Sequence, residues 1–357
     1  RIKKLVDKHN VKTLVWADEP LKYPEILDAL PKDIILGTWT YDALDNFDEF
    51  INPIKERGFE FMVCPGVLNS TRVMPNFHTA LKNIRNFDRD AIKAGAIGML
   101  NCVWDDGGFA LFNRDWYGVA YGAEQSWNNN EEKVEDFNTR LNLGVYGDKF
   151  NSLTDAIFKL LELAELPPTD NMNEKILWTN TIPERFNQLS ISVNDWDEIK
   201  KISQEANSLI LGRANSLYDD DFEVYLFTAE LYEFIADLRI NIVEAADSYR
   251  EAMLNQNDRI ISRKYLLNAA NNIDELLIRQ NKILYDYKRF WLLENKTYAL
   301  DRVTDKMEDQ YSKLEKLSNR LLESLHDFDK RLYLKPPDDI GLDIKKISGQ
   351  YFRGWLV

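Results

Sequence analysis

Tryptophan and acidic residues recur at the ends of short apolar runs in the first third of this 357-residue chain. Trp16, Trp39 and Trp104 each close such a run. An indole ring offers a flat apolar surface to the C–H face of a sugar ring, while a few carboxylates and amides fix its hydroxyl groups. Three tryptophans in equivalent positions therefore predict a saccharide-binding pocket, although any one of them could simply plug the end of a barrel.

Acidic pairs beside these rings are the next candidates. Asp105 and Asp106 precede two glycines, so they could bind a substrate or cap a turn. Asp18 and Glu19 are adjacent carboxylates, as in the acid–base pair of glycoside hydrolysis. Adjacent residues at a strand end point to different sides, so one could reach the pocket while the other caps the next helix. The loop with Asn69, Ser70 and Arg72 could bind substrate or form a solvated turn. The predicted substrate-binding residues are Trp16, Asp18, Trp39, Tyr41, Asn69, Arg72, Trp104, Asp105 and Asp106.

Several other kinds of chemistry have no support in the sequence. The three histidines are scattered without ligand spacing, so we expect no metal. There is no nucleophile elbow and no glycine-rich nucleotide loop, and no cofactor is expected. Cys64 and Cys102 lie inside predicted strands and are interpreted as buried structural thiols. The net charge of −14 argues against nucleic acid and anionic lipid as partners.

Four apolar runs precede helix-like segments and must position the candidate residues. The runs cover residues 13–18, 33–39, 59–64 and 98–104, and the helices are predicted at 23–30, 47–57, 77–94 and 116–127. This alternation predicts a parallel sheet. Four such units are half of an eightfold (β/α)8 barrel, in which the residues after the strands meet at one mouth. An open parallel sheet joined to a helical interaction domain is the alternative.

The rest of the chain has a different pattern. Residues 128–148 are rich in Asn and Glu and predict a loop. From residue 152 to about 334, apolar residues recur at helical spacing and predict a bundle of about five helices, the last ended by Pro336 and Pro337. The domains are therefore predicted as α/β at 1–130, a linker at 131–150, an all-α bundle at 151–335 and a tail at 336–357 whose aromatic end packs on the body. No run is long enough to insert in a membrane.

Residues 14–18, 30–41, 58–66 and 95–107, followed by residues 116–127, resemble the C-terminal half of the catalytic barrel of glycoside hydrolase family 20. This family comprises the β-N-acetylhexosaminidases, and the resemblance is to a divergent branch with a helical C-terminal domain. It implies that the four strands are the fifth to eighth of the barrel. It also implies that Trp16, Trp39 and Trp104 line the pocket for a terminal N-acetylhexosamine, and that Asp106 binds the outer hydroxyls of that sugar.

The resemblance implies an exo-acting, retaining and substrate-assisted glycosidase, found in a periplasm or at a cell surface. The family's catalytic Asp–Glu pair follows the fourth strand, which lies upstream of residue 1, so Asp18 and Glu19 come one strand too late to be that pair. The family's Tyr and Asp after the seventh strand have no clean counterpart, since Asn69 and Arg72 stand there instead. We therefore expect this chain alone to be inactive, with an N-acetylhexosamine-containing glycan and the N-terminal barrel half as partners. The alternative is a non-catalytic carbohydrate-binding or scaffolding protein on a degenerate barrel.

Overall fold

The computed structural model describes residues 2–70, 72–106, 108–128, 133–166, 190–191, 193–212, 219–342 and 345–346. The chain divides into two compact units, Arg1–Asn151 and Ser152–Val357. The first unit combines a four-stranded parallel sheet with helices, and the described part of the second is almost entirely helical. The predicted class, α/β followed by all-α, is confirmed at this level.

The four described strands of the first unit lie in their chain order. They are β1 (Thr13–Trp16), β2 (Ile34–Trp39), β3 (Phe61–Cys64) and β4 (Gly98–Met99), and all neighbouring pairs are parallel. In this register Trp16 lies opposite Gly37, and Trp39 lies opposite Cys64. The carboxyl ends of all four strands therefore lie along one edge of the sheet.

Strand β4 is shorter than the predicted run at 98–104, and Pro65 explains why. Leu100 N donates to Val63 O at 2.9 Å, as a parallel ladder requires. The return bond would come from the amide of residue 65, and proline has no N–H to donate. Pairing resumes at once, because Cys102 N donates to Pro65 O and Val67 N donates to Cys102 O. The segment after β4 therefore stays beside β3 as far as the pocket.

Helices of the first unit lie before β1 and after each strand. They are α1 (Ile2–Val6), α2 (Asp18–Lys22), α3 (Pro24–Ala29), α4 (Asp48–Lys55), α5 (Phe77–Ala94), α6 (Trp116–Asn128) and α7 (Val134–Leu141). The four predicted helices correspond to α3, α4, α5 and α6. Helix α5 begins where Asn76 Oδ1 accepts a hydrogen bond from Thr79 N at 3.2 Å, and it ends at Gly95, whose φ is +84°. Helix α2 was not predicted, although two acidic residues and a proline in its first turn favour a helix start.

The predicted loop at 128–148 is wrong for most of the described residues there. Helix α7 continues into a π-helical turn at Asn142–Tyr146. Phe137 of α7 packs edge-on against Tyr117 and Tyr121 of α6, with ring centroids 5.6 and 5.2 Å apart. Burial of these rings outweighs the polar composition on which the loop prediction rested. Residues 133–151 therefore belong to the first compact unit.

The apolar core of the first unit lies on one face of the sheet. Ile34 and Leu36 of β2 pack with Phe47, which stacks on Phe87 of α5 with centroids 4.2 Å apart. Side chains alternate between faces along a strand. In the described part of the chain, no side chain from the opposite face of β2 belongs to this cluster. Trp39 lies on that opposite face and is exposed. Helices thus cover one face, and the tryptophans project from the other.

The second unit is built on long helices. They are α8 (Ser152–Leu161), α9 (Val193–Leu211), α10 (Asp219–Leu254), α11 (Arg259–Glu294) and α12 (Asp301–Arg331), with a short α13 (Pro337–Ile340). Strand β5 (Ser190–Ile191) pairs in parallel with β6 (Lys345–Lys346). Within the described ranges of this unit, the five longer helices agree with the number predicted. Helix α12 ends before the two prolines, at Leu332 with φ +51°, and Pro337 begins α13 instead.

The predicted packing of the aromatic C-terminal end, residues 351–357, lies outside the described residues. None of the helices in the described ranges combines the length and apolar character that crossing a bilayer requires.

Candidate functional site

A small pocket lies at the carboxyl edge of the sheet. It is lined by Trp16, Asp18, Trp39, Tyr41, Trp104 and Asp106, and its volume is about 310 Å³. Six of the nine residues predicted to bind substrate are thus brought together there. Ligand pockets range over roughly 300–1,000 Å³, so this one suits a single sugar ring better than an oligosaccharide.

Two of its tryptophans come from opposite edges of the sheet. Trp16 ends β1 and Trp104 follows β4, yet their ring centroids are 6.2 Å apart at an angle of 61°. Two strands lie between β1 and β4, and three spacings of ~4.8 Å separate the edges of a flat sheet by roughly 14 Å. Both side chains must therefore reach inward over the same face. The pocket therefore lies on the face of the sheet opposite the described helices.

Two glycines allow the aromatic rings to lie against the backbone. A Cβ atom at Gly37 would lie 3.3 Å from the Trp16 ring, and one at Gly66 would lie 2.7 Å from Tyr41 Cδ1. Tyr41 in turn packs against Trp39, with centroids 5.3 Å apart. Neither glycine is among the residues predicted from the sequence to form the site. A glycine inside an otherwise apolar strand is the signal that could have identified Gly37, because it often marks close packing.

Two thiols lie behind the aromatic wall. Cys64 and Cys102 are both buried and free, as predicted. Hydrogen bonds from Cys64, and then from Tyr41 and Trp104, lower the pKa of Cys102 to about 7 against the opposing effect of burial. Burial, together with the neighbouring Cys102, raises the pKa of the Tyr41 hydroxyl above its ordinary value. Tyr41 therefore stays protonated at neutral pH and serves as a hydrogen-bond donor.

The adjacent acidic residues Asp18 and Glu19 separate in space. Asp18 is the first residue of α2 and lines the pocket. Glu19 does not line it, and its Oε1 lies 4.0 Å from Lys22 Nζ on the exposed side of the same helix. The pocket thus receives one carboxylate from this pair and a second from Asp106.

Ser70 forms two hydrogen bonds with the loop that carries Trp104 and Asp106. The Ser70 hydroxyl donates to the backbone oxygen of Trp104 and accepts from Asp106 N at 3.5 Å. Ser70 itself belongs to the segment after β3. The segments after β3 and β4 are therefore joined beside the pocket.

The remaining three predicted residues lie outside the pocket lining. Asn69 is buried, and its Nδ2 donates to Asp115 Oδ2 at 3.0 Å. Arg72 is half-buried, and its backbone N donates to Asn69 O at 3.1 Å. The carboxylate of Asp105 turns back on its own loop and accepts from the amides of Gly108 and Ala110 at 3.2 Å each. Desolvation there raises the pKa of Asp105 despite these donors. In this structure these residues hold the loops around the pocket.

Comparison of the chain with models of known protein families gives no match, and comparison with curated proteins finds no relative. Among the residues that the structure describes, no three His, Cys, Asp or Glu side chains lie together as a metal ion would require.

Proposed function

We propose that the pocket binds the terminal N-acetylhexosamine of a glycan, as part of an exo-acting, retaining β-N-acetylhexosaminidase related to glycoside hydrolase family 20. The observation that carries this proposal is the meeting of Trp16, Trp39 and Trp104 with Asp18 and Asp106 around a space of about 310 Å³. The indole rings provide apolar faces for the sugar ring. The two carboxylates are acceptors for its hydroxyl groups.

We further propose that β1 to β4 are the fifth to eighth strands of a (β/α)8 barrel. A doubly wound open sheet reverses its strand order at a switch point and carries helices on both faces. The strands here keep their chain order, and the apolar cluster of the described residues joins helices to one face only. Leu14, Trp16 and Leu100 on the other face are exposed. Four further strands, with their inward side chains, would cover that face and pair with β1 and β4.

Catalysis in this proposal divides between two parts of the barrel. The residues of this chain bind and orient the sugar. The 2-acetamido oxygen of the substrate attacks the anomeric carbon, and a glutamic acid from a segment before β1 protonates the glycosidic oxygen as it leaves. This is the substrate-assisted exception to the scheme with two enzyme carboxylates.

A second candidate is a carbohydrate-binding protein without catalytic activity. The lining of the pocket favours it, because the described residues of this chain that line it include no glutamate to protonate a glycosidic oxygen. Both candidates use the same pocket. They differ in whether the protein that contains the whole barrel hydrolyses an aryl N-acetyl-β-glucosaminide.

Calorimetric titration of the 357-residue chain with N-acetylglucosamine, and with glucose as the comparison, tests the binding step. We expect N-acetylglucosamine to bind and Trp39→Ala to weaken its binding about tenfold, through loss of a stacking surface. Trp127→Ala is the matched control, because that side chain is 87% exposed and lies outside the pocket lining. Absence of binding to N-acetylglucosamine by the folded chain would overturn the proposed function.

A further inference from the structure

A second pair of aromatic rings lies exposed beyond the pocket, on the segment that follows β4. Phe112 is 39% exposed and Trp116 is 46% exposed, and their centroids are 5.4 Å apart at 89°. Trp116 begins α6, whose Tyr117 and Tyr121 are buried. The two exposed rings form a right-angled corner whose surfaces are open to solvent.

The chain path keeps this corner close to the pocket. Asp105 lies between Trp104 and Asp106, which both line the pocket. Ala110 N donates to the Asp105 carboxylate at 3.2 Å, so the loop returns to its starting point. Phe112 follows Ala110 by two residues, which span at most about 7 Å of extended chain. The corner therefore lies within reach of a ligand that leaves the pocket.

Buried polar residues fix the corner in place. Arg114 and Asp115, which lie between the two rings in sequence, are both buried. Arg114 donates to the backbone oxygens of Leu111 and Val73, and Asp115 accepts from Asn69 Nδ2 at 3.0 Å. These hydrogen bonds connect the corner to the segment that follows β3. Ser70 of the same segment bonds to the loop that carries Trp104 and Asp106. A rigid aromatic surface loses little conformational entropy when a ligand binds.

We propose that Phe112 and Trp116 form a second sugar-binding platform, which holds the saccharide residue linked to the reducing side of the N-acetylhexosamine in the pocket. This inference rests on the proposed function, because it assumes that the pocket holds the terminal sugar. The platform is the nearest exposed aromatic surface along the chain after Asp106, and an apolar corner suits the C–H face of a neutral sugar. Asn69 is then a positioning residue, which acts through Asp115 without touching the glycan.

The test compares a monosaccharide with a disaccharide on the same chain. The 357-residue protein and its Trp116→Ala variant are titrated with N-acetylglucosamine and with its β-1,4-linked disaccharide, N,N′-diacetylchitobiose. We expect the unsubstituted protein to bind the disaccharide about tenfold more tightly than the monosaccharide, and Trp116→Ala to remove that difference while leaving monosaccharide affinity unchanged. Trp127→Ala should change neither affinity, and Trp116→Tyr should retain most of the preference.

Each other outcome is decisive. Equal affinity of the unsubstituted protein for the two sugars, or an unchanged preference in Trp116→Ala, would overturn the platform but leave the pocket proposal intact. An equal loss of both affinities in Trp116→Ala would show that the residue supports the pocket and would also overturn the platform. Failure of either sugar to bind the folded protein would instead refute the proposed function itself.

Discussion

Replacement of Gly66 by alanine probes the aromatic wall of the pocket without removing any side chain that lines it. The new Cβ would lie 2.7 Å from Tyr41 Cδ1 and 2.8 Å from Cε1, whereas ordinary contacts begin at 3.4 Å. The backbone at Gly66 is not left-handed, so alanine brings no conformational strain there. The Tyr41 ring must therefore retreat by roughly 0.7 Å or tilt away from its present position.

This displacement should affect stability and ligand binding separately. Overpacking a tight contact costs about 1–3 kcal/mol of unfolding free energy. Because Tyr41 packs on Trp39 with centroids 5.3 Å apart, its movement also disturbs the neighbouring wall. Loss of ~0.7–1.4 kcal/mol of ring contact would weaken N-acetylglucosamine binding by about threefold to tenfold.

Urea unfolding and calorimetric titration of Gly66→Ala measure the two effects. The matched control is Gly144→Ala, since a Cβ at Gly144 would meet nothing within 4 Å. The control should keep full affinity and stability. If Gly66→Ala loses stability but binds the sugar normally, Tyr41 is not part of the binding wall. If it loses neither, the close approach of Tyr41 to Gly66 is wrong.

Three further outcomes follow from the same structure. Asn69→Ala should lower the unfolding free energy, measured in urea, by about 1–3 kcal/mol, because buried Asp115 loses a donor. It should also weaken disaccharide binding more than monosaccharide binding. Calorimetric titration would contradict this second expectation if both sugars were affected equally. The pKa of Cys102, about 7, is lowered in the folded state, so its ionisation adds stability as pH rises from 7 towards the ordinary thiol pKa of about 8.5, and this contribution is lost as pH falls through 7. The difference in unfolding free energy between the unsubstituted protein and Cys102→Ala should therefore grow between pH 6 and pH 8, and a difference independent of pH would refute the assignment. Phe47→Ala should cost about 3–5 kcal/mol because the ring is fully buried, whereas Phe150→Ala, at 68% exposure, should change thermal stability by less than about 0.5 kcal/mol.

The elements of the first unit were predictable where local signals agree. The runs before Trp16, Trp39 and Trp104 are apolar and end in polar residues, so the strand positions could be predicted. The meeting of the strand ends follows from a parallel sheet, in which the carboxyl ends of all strands lie at one edge. The helix at Phe77–Ala94 carries both a capping asparagine and a terminal glycine. The shortness of β4 depends instead on which residue faces Pro65, and this register is not visible in the sequence.

The roles of the loop residues could not be predicted for a related reason. Asn69 and Asp105 have the same side-chain chemistry whether they bind a sugar or brace a loop. The choice depends on contacts such as Asn69 with Asp115, which join segments far apart in the chain. The helical segment at Val134–Tyr146 was missed because its polar composition hides three buried apolar positions, Phe137, Leu141 and Tyr146.

The contact between Trp16 and Trp104 provides a spectroscopic signal for refolding of the first unit. These two indoles meet only after the first and last strands of the sheet have both docked, because two other strands lie between them. Contacts between such distant parts of a chain form late, after local helices. The near-ultraviolet circular dichroism of these rings, which requires a fixed environment, should therefore develop after the far-ultraviolet helix signal, and its appearance would mark the moment at which the pocket first exists.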